Sequence, residues 1–157
     1  MNCFSFIHYR QLLALALVAL LLAGCGSSDD AYHPSLESGV RGVVTLNGEI
    51  LKKGIVTFVP DEKNPLKIPA TGVIDESGEY EILTGGRRGA PLGAYKVCVS
   101  LDPREEDAIH RLPARSPKPE GYVKIPTRYR EPEKTPFLIV VVESPATGAY
   151  DLRLTTN

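Results

Sequence analysis

The sequence predicts an all-β domain of seven short strands, folded as two packed antiparallel sheets. Three observations carry this expectation. Apolar residues recur with a period of two from Val40 to Leu154. Gly (14) and Pro (13) are plentiful in 157 residues, with no Trp and a single Met, as suits a loop-rich β protein. No segment between the strands carries convincing helical periodicity. Two sheets packed face to face are the natural way to bury seven half-apolar strands.

VRGVVTL sets Val40, Val44 and Leu46 on one face, with Arg41 and Thr45 on the other. Asn47-Gly48 then supplies positive φ, the strongest short hairpin signal. KKGIVTFVP follows, with Val56 and Phe58 pointing inward and Pro60 ending the strand. Ala70 to Ile74 is a short strand closed by Asp75-Glu76-Ser77-Gly78. Tyr80 and Ile82 alternate with Glu79 and Glu81, which leaves the carboxylates in water. In GAYKVCVSL, Tyr95, Val97, Val99 and Leu101 share one face. The unbroken apolar run Phe137 to Val142 suits a central strand buried on both sides. Tyr150, Leu152 and Leu154 close the series, alternating with Asp151 and Arg153. Asp102 to Pro136 is proline-rich and charged, so an exposed loop outside the core is expected there.

The N-terminal region has a different character. Arg10 precedes the twelve apolar residues Leu12 to Ala23. A membrane span needs roughly 20 such residues, so a positive flank, a short apolar centre and small residues at its end read as a secretory signal over 1–24. Leu22-Ala23-Gly24-Cys25 resembles the lipobox of bacterial lipoproteins. That resemblance implies lipidation of the Cys25 thiol, with Cys25 as the first mature residue. One acyl chain binds a bilayer only marginally, at about 0.8 kcal/mol per buried CH₂, whereas two or more anchor stably. Residues 25–39 are small, polar and acidic, and read as a flexible tether. The fourteen residues Gly26 to Gly39 reach at most about 50 Å. No Asp directly follows Cys25, and by resemblance to enteric lipoproteins this favours the outer membrane. Of three cysteines, Cys3 leaves with the signal and Cys25 is lipidated, so Cys98 has no intramolecular disulfide partner.

The domain also resembles a known family. GVVTLNGEILKKGIVTFVP, ATGVIDESGEYEI, GAPLGAYKVCV and IPTRYREP…FLIVVV follow one another as in carboxypeptidase regulatory-like, transthyretin-like domains, most closely those of small bacterial lipoproteins. The resemblance covers roughly 40–154, within a domain drawn at 40–157. It implies a Greek-key β-sandwich of about seven strands; the family is named for accompanying a carboxypeptidase catalytic domain, and none is expected in this chain.

Candidate sites are few. The net charge of −1, with Lys and Arg scattered, leaves no electrostatic footprint for nucleic acid. Asp75-Glu76-Ser77-Gly78-Glu79 lacks the oxygen spacing and distal Glu of a helix–loop–helix calcium site, so it reads as a tight turn. His33 and His110 lie in polar segments and read as solvated, so neither a metal nor a cofactor is expected. No nucleophile elbow or Cys–His pair stands out. Cys98 reads as a packing residue under the long loop, with an outward redox thiol as the alternative. In the loop, Arg111, Arg115, Lys118, Lys124, Arg128 and Arg130 interleave with Tyr122 and Tyr129. Arg and Tyr are common binding anchors, so Arg128, Tyr129 and Arg130 are the candidate partner contacts, although acidic neighbours offset the charge. Pro126-Thr127-Arg128-Tyr129 resembles a recurring element of that family, in which Tyr129 packs back on the sandwich.

These features lead to the expectation of a non-enzymatic, membrane-anchored envelope lipoprotein with a structural or protein-binding domain. The alternative is a carbohydrate-binding module of the envelope, with Tyr122, Tyr129 and Tyr150 as the only candidate platforms and Tyr150 facing inward. A hydrolase needs a convergent polar set that the sequence does not display.

Overall fold

The computed structural model describes residues 35–37, 39–113, 115–119 and 121–156. The expected signal at 1–24, and Cys25 with most of the 25–39 tether, lie outside the described residues. Ten strands form: β1 (Arg41–Leu46), β2 (Glu49–Ile50), β3 (Gly54–Pro60), β4 (Ala70–Ile74), β5 (Glu79–Glu81), β6 (Leu83–Thr84), β7 (Arg87–Arg88), β8 (Gly93–Ser100), β9 (Leu138–Val141) and β10 (Leu152–Leu154). Seven of them lie where the apolar pattern of the sequence put strands. The other three, β2, β6 and β7, are two-residue pieces, too short to show a period of their own.

Hydrogen bonding runs continuously in the order β10-β1-β5-β4-β3-β8-β9, with β2 on β1, β6 on β4 and β7 on β6. Every pairing is antiparallel except β1 with β10, which run parallel with Val44 opposite Leu152. This is one exception to the antiparallel arrangement expected. The sheet curls, and its two ends feed a single core. Val44 and Leu152 come from one end and Tyr95, Val97 and Val99 from the other, and all join one buried cluster. Phe58 lies at its middle, its ring 5.6 Å from that of Tyr95 and 6.5 Å from that of Tyr80. Each fully buried side chain of this size contributes about 1.5–3 kcal/mol, so with Cys98 a free thiol the described residues are held by their core.

Local chemistry sets the turns. Asn47 (φ 53) and Gly48 (φ 86) both take positive φ, as a two-residue hairpin of the right twist requires. That hairpin closes only on β2, with Leu46 opposite Glu49. β3 then leaves β1 and pairs instead with β4 and β8. Gly78 (φ 80) completes the turn from β4 to β5.

Two expectations are corrected. The run Phe137–Val142 is not a central strand: β9 is the last strand of its sheet and pairs only with β8. Leu138 and Val140 are 62% and 54% exposed, whereas Val141 is buried. An apolar run says that a strand is well suited to a sheet, not where in the sheet it sits. The 102–136 segment, second, is not all exposed loop. It contains helix α1 (Pro103–His110) and a 3₁₀ turn (Thr127–Tyr129). It also sends Ile109, Ile125 and Tyr129 into the core. The helix starts where Asp102 accepts the Arg104 N–H at 2.8 Å, with proline in the first turn and Glu105 and Glu106 at its positive end.

Candidate functional site

Pro126, with φ −58, ends an extended approach and starts the 3₁₀ turn. The Tyr129 N–H then donates to the Pro126 carbonyl and the Arg130 N–H to that of Thr127, both at 3.0 Å. This geometry divides the three candidate partner residues. Tyr129 turns inward, buried, and stacks on Phe137 with ring centroids 5.4 Å apart. Arg128 lies over the outer face of the Tyr129 ring, 4.9 Å from its centroid. Its guanidinium donates to the Thr155 carbonyl at 2.6 Å and to Thr155 Oγ1 at 3.0 Å. Arg130 points the other way and pairs with Glu106 on α1. All three are thus engaged within the chain, tying the long segment to Thr155, just after β10, and to α1. Burial pushes the Tyr129 hydroxyl up, but hydrogen bonds with Thr155 and the Arg128 charge outweigh it, and the net shift is downward.

Two clefts stand out on the fold. One, of about 390 Å³, lies between α1 and the 118–130 segment. Its apolar lining includes Leu101, Ile109 and Ile125, and Lys118, Lys124 and Arg130 supply its positive charge. Lys118 Nζ sits 5.1 Å from the centroid of the half-buried Tyr122 ring. The other cleft, of about 640 Å³, lies along β1, β4 and β5 and is lined by Arg41, Val43, Val73, Glu79, Glu81 and Arg88. One ion pair is formed within the wall, with Arg88 Nε 3.3 Å from Glu81 Oε2.

Asp75, His110 and Cys98 make their contacts within the fold. The Asp75 carboxylate accepts the Ser77 hydroxyl at 2.6 Å and the N–H groups of Ser77 and Glu79 at 2.9 and 3.0 Å. It serves the turn, as expected. His110 Nδ1 lies 2.8 Å from the Glu106 carbonyl within α1, and His33 is outside the described residues. Cys98 is buried, and desolvation, helped by the Glu133 charge, pushes its thiol up. A protonated, buried thiol packs rather than reacts. Tyr150 points inward as expected and Tyr129 is also buried, so Tyr122 is the one partly open ring of the three candidate platforms. Among the described residues no three His, Cys, Asp or Glu side chains converge on a possible metal position. No helix among them is long and apolar enough to cross a membrane. Leu22, Ala23, Gly24 and Cys25 lie outside the described residues.

Comparison with known protein families, with curated proteins and with solved structures found no match. The 390 Å³ cleft is a feature that sequence reasoning missed. Its lysines and Tyr122 were visible as interleaved cations and aromatics, but their convergence depends on α1, whose only signal was the Asp-Pro-x-Glu-Glu start.

Proposed function

We propose that this chain is a lipid-anchored protein of the bacterial cell envelope, held to a membrane through Cys25. Its β domain then serves as a non-catalytic structural or protein-binding module. The observation that carries the reading is the abrupt end of the Leu12–Ala23 apolar run on Leu22-Ala23-Gly24-Cys25, followed by a small, polar, acidic stretch. A thiol at that position has a chemical purpose, since only a nucleophilic side chain can accept a diacylglyceryl group.

Within the same reading, the curled sheet is a Greek-key sandwich of the carboxypeptidase regulatory-like, transthyretin-like kind. Connectivity supports it. β3, β4 and β5 are consecutive neighbours, and β1 returns to lie beside β5 rather than beside β3. A fourth strand lying beside the far end of a three-strand meander is Greek-key order. The glycan-binding alternative would rest on Tyr122 alone and is not adopted.

The test is fractionation of the native host expressing wild type or Cys25→Ala, combined with metabolic labelling by palmitate. Wild type is expected in the membrane fraction, carrying label, and to be found in the outer membrane. The variant is expected to be unlabelled and released. A variant that stays with the membrane as wild type does would overturn the anchor.

A further inference from the structure

We propose that the cleft between α1 and the 118–130 segment docks an acidic peptide segment carrying one apolar anchor side chain. This deepens the protein-binding reading above, and rests on it, by naming the partner's chemistry.

Charge is the first argument. The cleft is lined by Lys118, Lys124 and Arg130 against a single carboxylate, that of Glu106. Arg130 and Glu106 form an ion pair and cancel each other. Among the described residues Lys118 and Lys124 form no ion pair, and both are exposed at the rim. The larger cleft along β1 and β5 differs here, because Asp75, Glu79 and Glu81 line it beside Arg41 and Arg88, and Arg88 pairs with Glu81. An anionic partner is the complement of the first cleft and not of the second.

Shape and apolar lining are the second argument. Leu101, Ile109 and Ile125 line the cleft while themselves belonging to the core, and Leu112 is 39% exposed at its edge. A volume of about 390 Å³ falls in the range of sites that enclose a side chain or a small molecule. Tyr122, held under the Lys118 ammonium, offers a further flat apolar surface. Leu or Phe on the partner fits this lining, with its own carboxylates reaching the two lysines.

The third argument selects a peptide over a small anion. The N–H groups of Val123, Lys124 and Ile125 make no hydrogen bond within the described residues. These three residues line the cleft. Neighbouring N–H groups of an extended stretch point to opposite sides, so a peptide laid along it pairs with those that face it, in addition to its side-chain contacts, as strand-addition partners do.

The experiment uses the full chain purified in detergent and a fluorescein-labelled heptapeptide, Asp-Glu-Asp-Leu-Glu-Asp-Glu, read by fluorescence anisotropy. Saturable binding is expected, weakening as salt rises. The double variant K118E/K124E changes two exposed side chains, so an unchanged thermal melt confirms its fold, and its affinity is expected to drop at least tenfold. Replacing the peptide's Leu by Ser is also expected to weaken binding. Equal affinity of wild type and the double variant would overturn the proposal. Equal affinity for a Lys-for-acid peptide would do so too, as would binding of anionic vesicles without binding of the peptide. Cys25→Ala protein is expected to bind the peptide as wild type does. Loss of membrane partitioning with peptide binding intact leaves the cleft standing, and the opposite pair of results leaves only the anchor.

Discussion

Tyr80, on β5, donates its buried hydroxyl to the main-chain carbonyl of Tyr150 at 2.5 Å, seventy positions along the chain. The space for that carbonyl is made by Gly42, where a Cβ would stand 2.4 Å from the same oxygen. Alongside, the Val43 N–H donates to the Asp151 carboxylate at 3.0 Å. Two neighbouring strands, β5 and β1, thus fix the turn that leads into β10.

This contact sets an alkaline limit on stability. Burial, with the nearby Asp151 charge, pushes the Tyr80 hydroxyl well above its ordinary value of 10.0. The unfolded chain then gives up this proton before the folded one does, so stability falls as pH rises past about 10. Urea midpoints measured between pH 9 and 12 are expected to decline in wild type and to decline less steeply in Tyr80→Phe. Because Tyr95 is also shifted upward by burial, some slope remains in the variant. At neutral pH the same variant is expected to lose about 1–3 kcal/mol, since the Tyr150 carbonyl loses its buried partner.

Gly42→Ala tests the same junction by volume. The added methyl meets backbone rather than a movable side chain, so overpacking of about 1–3 kcal/mol is expected. A urea denaturation midpoint equal to that of wild type would mean that Tyr150 does not cross over β1 so closely.

Tyr129 distinguishes a packed segment from a solvated one. Its ring is buried on Phe137, and its hydroxyl accepts the Thr155 N–H at 3.0 Å. Tyr129→Ala is therefore expected to cost about 3–5 kcal/mol, and Tyr129→Phe about 0.5–1.5 kcal/mol. Surface substitutions usually stay within about 0.5 kcal/mol, so a loss that small for the alanine variant, measured by urea denaturation, would mean that the segment is not docked.

What the sequence disclosed follows from how local each signal is. Period-two alternation is local, and it placed Tyr80, Ile82, Tyr95, Val97 and Val99 inward, where they lie. The Asn47-Gly48 turn was equally legible, because positive φ is a property of two residues. Which strands become neighbours is not local. Nothing in LIVV distinguishes a strand covered on both sides from one at the end of the sheet. The buried role of Ile109, Ile125 and Tyr129 was hidden for a related reason, since isolated apolar residues among charges and prolines reveal a core face only once the segment is folded against β8. The residues of the cationic cleft could be read, but not their convergence.

The position of β9 has a direct consequence. Val140 faces outward from the end of the sheet and Val141 inward, in adjacent positions. Val140→Lys is expected to change stability by no more than about 0.5 kcal/mol. A charge on the end strand is also a common guard against edge-to-edge pairing. Val141→Lys buries an unpaired ammonium, and failure to fold or a loss above about 3 kcal/mol is expected. Equal tolerance of both, measured by thermal and urea denaturation, would place the strand elsewhere.

Acid titration isolates the turn from β4 to β5. The Ser77 hydroxyl, followed by the N–H groups of Glu79 and Ser77, favours the ionised form of Asp75 and outweighs the desolvation that opposes it. Its carboxyl is therefore held below the ordinary value of 3.8. The unfolded state takes up this proton first as pH falls, so the turn's contribution is present above the ordinary value and is lost on acidification through the folded one. Carboxyl-carbon NMR of the folded protein is expected to give an Asp75 midpoint below 3.8, with the Ser77 and Glu79 amide resonances shifting at the same midpoint. In Ser77→Ala the midpoint is expected to move upward, because the shortest of the three bonds is removed. An Asp75 midpoint at or above 3.8 in wild type, or one that Ser77→Ala leaves unmoved, would show that the carboxylate faces water and that Gly78 alone makes the turn.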